Sequence, residues 1–212
     1  MNYRTIFPIS EFSATPTPFY YYDMELLRRT LDSIRHEIPA HDQTYQVHYA
    51  IKANANPLLL QTIAKYGFGA DCVSGGEIQA ALGNGFTASK IVYAGVGKTD
   101  DEISLGLDAG ISCFNVESLP ELEVIDMIAA SKNIVAKVAV RINPNIDAHT
   151  HHYITTGLEE NKFGINLDNL PELIRRCIEL KNVELIGLHF HIGSQILTME
   201  PYRLLCERIN SL

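Results

Sequence analysis

The sequence predicts an α/β fold, specifically a (β/α)8 barrel that contains about six βα units. Strand-like apolar runs end, at intervals of 21 residues, near Lys52, Val73, Ala94 and Asn115. Two further runs end near Arg141 and His191, and helical segments lie between successive runs. A regular strand and helix repeat of this kind builds a parallel sheet, so an open doubly wound sheet is the alternative.

The first predicted strand covers residues 46–52 and ends at a lysine. In such a strand His48, Ala50 and Lys52 point to one face, and the apolar residues between them point to the other. Lys52 would then lie at the carboxyl end, where parallel α/β folds place their chemistry. A desolvated lysine there can lose its proton and attack an aldehyde, whereas a surface lysine that merely closes a strand is the alternative.

Start signals for helices follow several of the strands. Asn56 precedes Pro57, which is the pattern of an N-cap followed by proline at the first helical position. Ser118 and Glu121 form the pattern of a capping box, and Asp168 is expected to open the helix before the sixth strand. These signals place each helix directly after a strand.

The segment GVGKTD at residues 95–100 contains the Gly-Lys-Thr of a phosphate-binding loop. The first glycine of that motif would fall at position 92, where the chain has Val92. We therefore interpret Thr99 or Asp100 as the N-cap of the next helix.

The sixth strand carries two histidines. Alternation places Gly187, His189 and His191 on one face of the run LIGLHFHIGSQ, toward the barrel interior. Gly193 and Ser194 follow, and a turn of this kind can offer an amide and a hydroxyl to a phosphate. A paired metal site, as in a metal-dependent barrel hydrolase, is the alternative, but no histidine follows His191, so no metal is expected.

The connection from Arg141 to His191 is 50 residues long, and long loops at this end of a barrel usually cover a site. It contains His149, His151 and His152, which fit a solvated loop better than a metal cluster.

Composition excludes several classes of protein. The formal net charge is −8 and no basic run is present, so nucleic acid is not an expected partner. No segment is long and apolar enough for a membrane span, and the amino terminus lacks a signal-peptide core. A cytoplasmic location is therefore expected. The four cysteines are far apart, so they are expected to be reduced thiols rather than a disulfide framework or a zinc site.

Five segments, in this order, resemble the motifs of the diaminopimelate decarboxylases: HYAIKANANP, GADCVSGGEI, AVRINPN, TTGLEENKFGI and HFHIGSQ. Ornithine and arginine decarboxylases share the lysine strand and the histidine strand, but with altered sequences. The resemblance implies a barrel of the alanine-racemase type that binds pyridoxal 5′-phosphate. It implies decarboxylation of an amino-acid substrate, meso-diaminopimelate, to L-lysine in the last step of lysine biosynthesis.

The resemblance also implies roles for single residues. Lys52 resembles the lysine that bonds to the cofactor aldehyde, and His191 the histidine that stacks on the cofactor ring. Asp71 resembles the acidic residue near that lysine, Arg141 the arginine near the cofactor, and Ser194 a phosphate ligand. An alternative role for Arg141 is an ion pair with an interior carboxylate such as Asp71.

Two further residues are implied to lie close to the site. Glu77 resembles a companion of the acidic residue, and Lys162 belongs to a loop over the substrate.

The resemblance further implies a domain arrangement. Residues 1–23 are expected to belong with a C-terminal β-domain that is absent from the chain, and residues 24–212 to form an incomplete cofactor-binding barrel. The complete enzyme is expected to be a homodimer, and the chain by itself to be an inactive N-terminal portion. A non-catalytic pyridoxal-phosphate-binding barrel and an ornithine or arginine decarboxylase are the alternatives.

Overall fold

A computed structural model describes residues 7–38, 45–144, 163–194 and 196–211. The chain divides into two compact units, residues 1–43 and 44–212. The first unit contains helices α1 (Ile9–Ala14) and α2 (Met24–Glu37), and the Asp23 carboxylate caps α2 by accepting from the Leu26 amide at 2.8 Å. The assignment of residues 1–23 to a separate β-domain stays a prediction.

The second unit is an alternating series of strands and helices. Its described residues form the strands β1 (His48–Ala50), β2 (Gly69–Cys72), β3 (Ile91–Tyr93), β4 (Cys113–Val116), β5 (Ala136–Ile142) and β6 (Val183–Phe190). The helices are α3 (Pro57–Lys65), α4 (Gly75–Gly83), α5 (Asp100–Ala109), α6 (Leu119–Lys132), α7 (Leu170–Glu179) and α8 (Glu200–Asn210). The predicted series of βα units is therefore confirmed.

The sheet runs β1-β2-β3-β4-β5-β6, and every neighbouring pair is parallel. A doubly wound sheet reverses its strand order at a switch point, whereas a barrel adds strands in sequence. The observed order is that of the barrel. Successive carboxyl ends consequently meet at one edge of the sheet.

The core lies between the outer face of the sheet and the helices. Its fully buried side chains are apolar and come from both layers: Ile63, Ile78, Ile91, Tyr93, Ile103, Phe114, Leu122 and Ile125. β4 is buried along its whole length, which is typical of a strand covered on both faces.

Helix caps mostly agree with the prediction. Asn56 accepts from the Leu58 amide at 3.0 Å, and Thr99 forms a complete capping box with Glu102 at the start of α5. The predicted box at Ser118 is half wrong, because the Glu121 carboxylate accepts from the amide of Glu117 and not from that of Ser118.

Two boundaries differ from the prediction. β1 ends at Ala50, and Lys52 lies in a short 3-10 turn, Ile51–Ala53, rather than on the strand. The turn buries Ile51 completely beneath the helices, which ends the strict alternation. Asp168 lies in another 3-10 turn, Leu167–Asn169, so it does not open α7 directly.

All four cysteines are free. Cys72, Cys113 and Cys177 are buried, and Cys206 is exposed. Burial raises the pKa of the Cys72 thiol to about 12 and that of Cys113 to about 11. Among the described residues, no helix has the length and apolar character that crossing a membrane requires.

Gly106 packs one face of α5 against β4. A methyl group added there would lie 2.8 Å from the Phe114 ring. We expect Gly106→Ala to lower the free energy of unfolding by about 1–3 kcal/mol, because the buried ring must move. Gly83, in α4, has no atom within 4 Å of the same added group, so Gly83→Ala should be neutral or stabilising. Equal losses in the two variants, measured by urea unfolding, would contradict the packing argument.

Candidate active site

A cavity of about 220 Å³ lies at the carboxyl ends of the strands. Its charged and polar lining comes from all the strand ends except that of β3: Lys52, Asp71, Glu117, Arg141, His189 and His191. Val73, Ala94 and Val96 provide apolar wall, and Gly95 contributes backbone. The parallel order of the strands thus brings together side chains that are up to 139 residues apart in sequence.

Of the five residues that the resemblance assigns to the cofactor site itself, four line this cavity: Lys52, Asp71, Arg141 and His191. The fifth, Ser194, is exposed and is not part of the cavity lining. It follows Gly193, whose φ of 122° is in a region that favours glycine. The turn that was expected to hold a phosphate therefore lies just after the cavity histidine.

Asp71 is the carboxylate most affected by its surroundings. Burial raises the pKa of Asp71, and Glu77 adds to that rise. The positive charges of Lys52, His191 and Arg141 act in the opposite direction. Lys52 and Asp71 therefore interact electrostatically.

Glu77 is not part of the cavity lining but stabilises the wall of the cavity through hydrogen bonds. Its carboxylate accepts a hydrogen bond from the Val73 amide at 2.7 Å, and its own amide donates to the Ser74 hydroxyl at 3.2 Å. It thereby holds the residue that follows β2, while its charge acts on Asp71.

The ion-pair partner of Arg141 is Glu117, not Asp71, the carboxylate named as an example in the sequence analysis. Arg141 Nη1 donates to Glu117 Oε1 at 2.9 Å, and the Gly95 amide donates to the same oxygen at 3.1 Å. Both side chains are largely buried, and Glu117 Oε2 has no hydrogen-bond partner within the described residues. Sequence reasoning missed Glu117, although it shares its alternation with Cys113 and Asn115 and directly follows β4.

The segment after the long connection returns to β5. The Ile165 amide donates to the Arg141 carbonyl at 2.9 Å, and the Phe163 ring centroid lies 5.7 Å from the Arg141 guanidinium. Gly164 has a φ of 84°, and a side chain there would meet Arg141 backbone at 3.1 Å. The end of the KFGI motif thus packs on Arg141. Its Lys162, like His149, His151 and His152, lies outside the described residues.

His189 faces the cavity from β6 and is paired in register with Arg141. Its Nδ1 is buried and has no hydrogen-bond partner among the residues that the structure describes. Burial, with the positive charges of Arg141, His191 and Lys98, lowers the pKa of His189 to about 4. The imidazole is therefore neutral at pH 7.

This shift predicts a pH-dependent contribution to stability. The pKa of His189 falls from 6.5 in the unfolded chain to about 4 in the fold, so the unfolded chain binds the proton first. The contribution of the neutral His189 imidazole to the free energy of unfolding is complete above about pH 6.5. It is lost as the pH falls toward 4, and its upper limit is about 3 kcal/mol.

His189→Gln, which cannot titrate, isolates this effect from that of Asp71, whose raised pKa acts in the opposite sense. We expect the difference in unfolding free energy between the original protein and the variant to decrease from pH 7 to pH 4.5. A constant difference over that range, by urea unfolding, would refute the assignment.

Within the described residues, no group of three or more His, Cys, Asp and Glu side chains is arranged to hold a metal ion. The two histidines of β6 and its end instead share their cavity with a lysine and an arginine. This arrangement offers an amine, a carboxylate and imidazoles to a small polar ligand.

Comparisons of the chain with a family model and with known proteins agree on one protein family. Residues 24–212 match the family model "pyridoxal-dependent decarboxylase, pyridoxal binding domain". The diaminopimelate decarboxylase of Bacteroides thetaiotaomicron is 59% identical over 209 residues, which are 99% of this chain and 54% of that protein. The chain thus spans about half the length of the curated relatives it matches.

Solved structures give the same result. The diaminopimelate decarboxylase from Helicobacter pylori complexed with L-lysine superposes with a TM-score of 0.85 at 40% identity, over 100% of this chain and 53% of that one. The arginine decarboxylase of Paramecium bursaria Chlorella virus superposes with a TM-score of 0.68 at 27% identity, over 88% and 48%. Similarity is therefore greater to the diaminopimelate enzyme than to the arginine enzyme.

Proposed function

Because the chain belongs to the family of pyridoxal-dependent decarboxylases, within their pyridoxal-binding domain, we propose that it supplies the cofactor-binding part of a diaminopimelate decarboxylase. The reaction is the release of carbon dioxide from meso-diaminopimelate, which leaves L-lysine. The identity of 59% to a diaminopimelate decarboxylase supports this substrate over ornithine or arginine. The observation that carries the proposal is that Lys52 shares one cavity with Asp71, Arg141 and His191.

The cavity fits pyridoxal phosphate in the groups it offers. The cofactor presents an aldehyde, an aromatic ring and a phosphate. Lys52 offers an amine, and Val73, Ala94 and the imidazole of His191 offer surface for a ring. The buried Nδ1 of His189, which has no hydrogen-bond partner in the described part of the chain, offers a polar atom to a bound group. The donor set is thus that of an organic cofactor site.

Pyridoxal phosphate, when bound, draws electrons from the substrate carbon that loses its carboxylate. Lys52 Nζ is the amine that would hold the cofactor by its aldehyde. The imidazole of His191 would pack against the cofactor ring. These two residues provide attachment and orientation, which are the tasks that a protein performs for such a cofactor.

Asp71 and Arg141 adjust the charge around Lys52. Lys52 Nζ must release a proton before it can act as a nucleophile. The raised pKa of Asp71 makes its carboxylate a better base for that proton than an exposed aspartate would be. Arg141, held by Glu117, adds a fixed positive charge at the same wall. Ser194, together with the Gly193 turn, is the proposed phosphate ligand.

A chimera tests the proposed reaction. The matched segment of the Bacteroides relative is replaced by this chain, and carbon dioxide release is measured with meso-diaminopimelate, ornithine and arginine. We expect turnover of meso-diaminopimelate comparable with that of the intact relative and little release from the other two.

The Lys52→Ala chimera is the inactive control. A folded chimera that binds the cofactor but releases no carbon dioxide from meso-diaminopimelate would overturn the substrate assignment. Preference for arginine or ornithine would favour the alternative branch.

A homodimeric complete enzyme and a cytoplasmic location are part of the same proposal. The family resemblance supports the dimer. The four free cysteines support a reducing compartment.

A further inference from the structure

Lys98, the lysine of the GVGKTD segment, is buried outside the cavity lining. Its side chain is 1% exposed, and its ammonium has three hydrogen-bond acceptors. They are the Gly95 carbonyl at 2.8 Å, the Asn115 carbonyl at 2.8 Å and Glu121 Oε1 at 2.6 Å. An ammonium has three N–H groups, so Lys98 has none left for a ligand. It joins the segment after β3 to the end of β4 and the first turn of α6.

Glu121 extends this connection to the cavity. Its second oxygen, Oε2, accepts from the Glu117 amide at 2.9 Å. The Glu117 carboxylate in turn accepts from the Gly95 amide and from Arg141. A continuous series of hydrogen bonds, none longer than 3.1 Å, therefore links Lys98 to the guanidinium at the cavity wall.

We propose that Lys98 and Glu121 are positioning residues, which hold Glu117 and, through it, Arg141 at the cavity wall. The inference rests on the proposed function for its catalytic meaning, because the cavity is the one assigned to the cofactor. Neither Lys98 nor Glu121 lines the cavity, so neither acts by contact with substrate or cofactor.

The charges of this hydrogen-bonded network explain why the positions of its side chains are well defined. Burial raises the pKa of Glu121, and the Lys98 ammonium and the Glu117 amide oppose that rise. Buried charges are costly unless they are paired and hydrogen-bonded, so the pair tolerates few alternative arrangements. Glu117 is fixed at its amide by Glu121 and at its carboxylate by Gly95. Arg141 consequently donates to the Glu117 carboxylate, whose position is set by residues outside the cavity lining.

His189 reports the position of Arg141 without any cofactor. The Arg141 charge lowers the pKa of His189, its neighbour in register. If Glu121→Gln releases Glu117 and Arg141, the pKa of His189 should rise by about one unit, the size of shift that one nearby charge produces. Removal of the negative charge of Glu121 acts directly in the opposite direction. An upward shift therefore indicates displacement of Arg141 or of Lys98, whose charge also lowers the pKa of His189.

The titration is followed by NMR of histidine-labelled protein, with the His189 signal assigned through His189→Gln. A double-mutant cycle separates the change in the His189 pKa that is caused by movement of Arg141 from the change that is caused by Lys98. In an Arg141→Met background, Glu121→Gln should produce no further rise. The matched control is Glu123→Gln on the same helix, whose exposed pair with Arg176 lies outside the network.

A folded Glu121→Gln variant in which the His189 pKa is unchanged or lower would overturn the inference, as would a rise that persists without Arg141. If this variant does not fold, Glu121→Asp keeps the charge but is too short to hold both Lys98 and the Glu117 amide, and the same rise is expected. Loss of folding in both variants would assign the network a purely structural role and also overturn the inference. Failure of the chain to bind pyridoxal phosphate would affect only the proposed function, because the titration uses no cofactor.

Discussion

Lys52→Ala should abolish specific attachment of pyridoxal phosphate to the chain. Among the described residues, Lys52 is the lysine of the cavity lining, and it interacts with the half-buried carboxylate of Asp71 at the carboxyl ends of the strands. Borohydride reduction in the presence of pyridoxal phosphate, followed by peptide mapping, should place the label on Lys52 in the original protein. The yield at other sites should not change in the variant.

Lys65→Ala is the matched control, because Lys65 is exposed on α3 and does not line the cavity. It should label as the original protein does. Label spread evenly over surface lysines, with the same total in Lys52→Ala, would show that the cavity does not select this amine.

Glu117→Ala should be among the most destabilising single substitutions in the chain. It leaves the guanidinium of Arg141, whose side chain is 12% exposed, without its counterion. Removal of one partner from a buried pair costs about 3–5 kcal/mol of unfolding free energy. Urea unfolding at pH 7 measures this loss.

Glu123→Ala provides the comparison on the surface. Its pair with Arg176 has side chains that are 48% and 36% exposed, so water screens the charges and the expected loss is much smaller. Glu117→Leu combined with Arg141→Met should be less destabilising than Glu117→Ala, because neither charge is then left unpaired. Equal losses for Glu117→Ala and Glu123→Ala would contradict the burial argument.

The barrel order and three of the cavity residues were predicted from local patterns. Alternation assigned His189 and His191 to the interior, and the end of the first predicted strand placed Lys52 at the same edge. Asp71 and Arg141 were expected there only from the family resemblance. Asn56 and Thr99 were found from cap chemistry, which depends only on residues within one turn.

The pair of Glu117 and Arg141 could not be found in this way. Its geometry depends on the lateral register of two strands, in which Val116 is opposite Val140, so that the next residues on each strand are neighbours. Alternation along a single strand carries no information about that register. The same holds for Lys98, because two of its three acceptors, Asn115 on β4 and Glu121 on α6, lie outside its own segment.

Because three of the four thiols are buried, the chain is suited to labelling at a single cysteine. A thiolate is the reactive form of cysteine, and the buried thiols of Cys72, Cys113 and Cys177 all have raised pKa values. Cys206, on α8, is exposed, so a maleimide dye should attach there without any substitution of the other three. Energy transfer between donor and acceptor dyes on separate copies would then measure self-association of the chain directly.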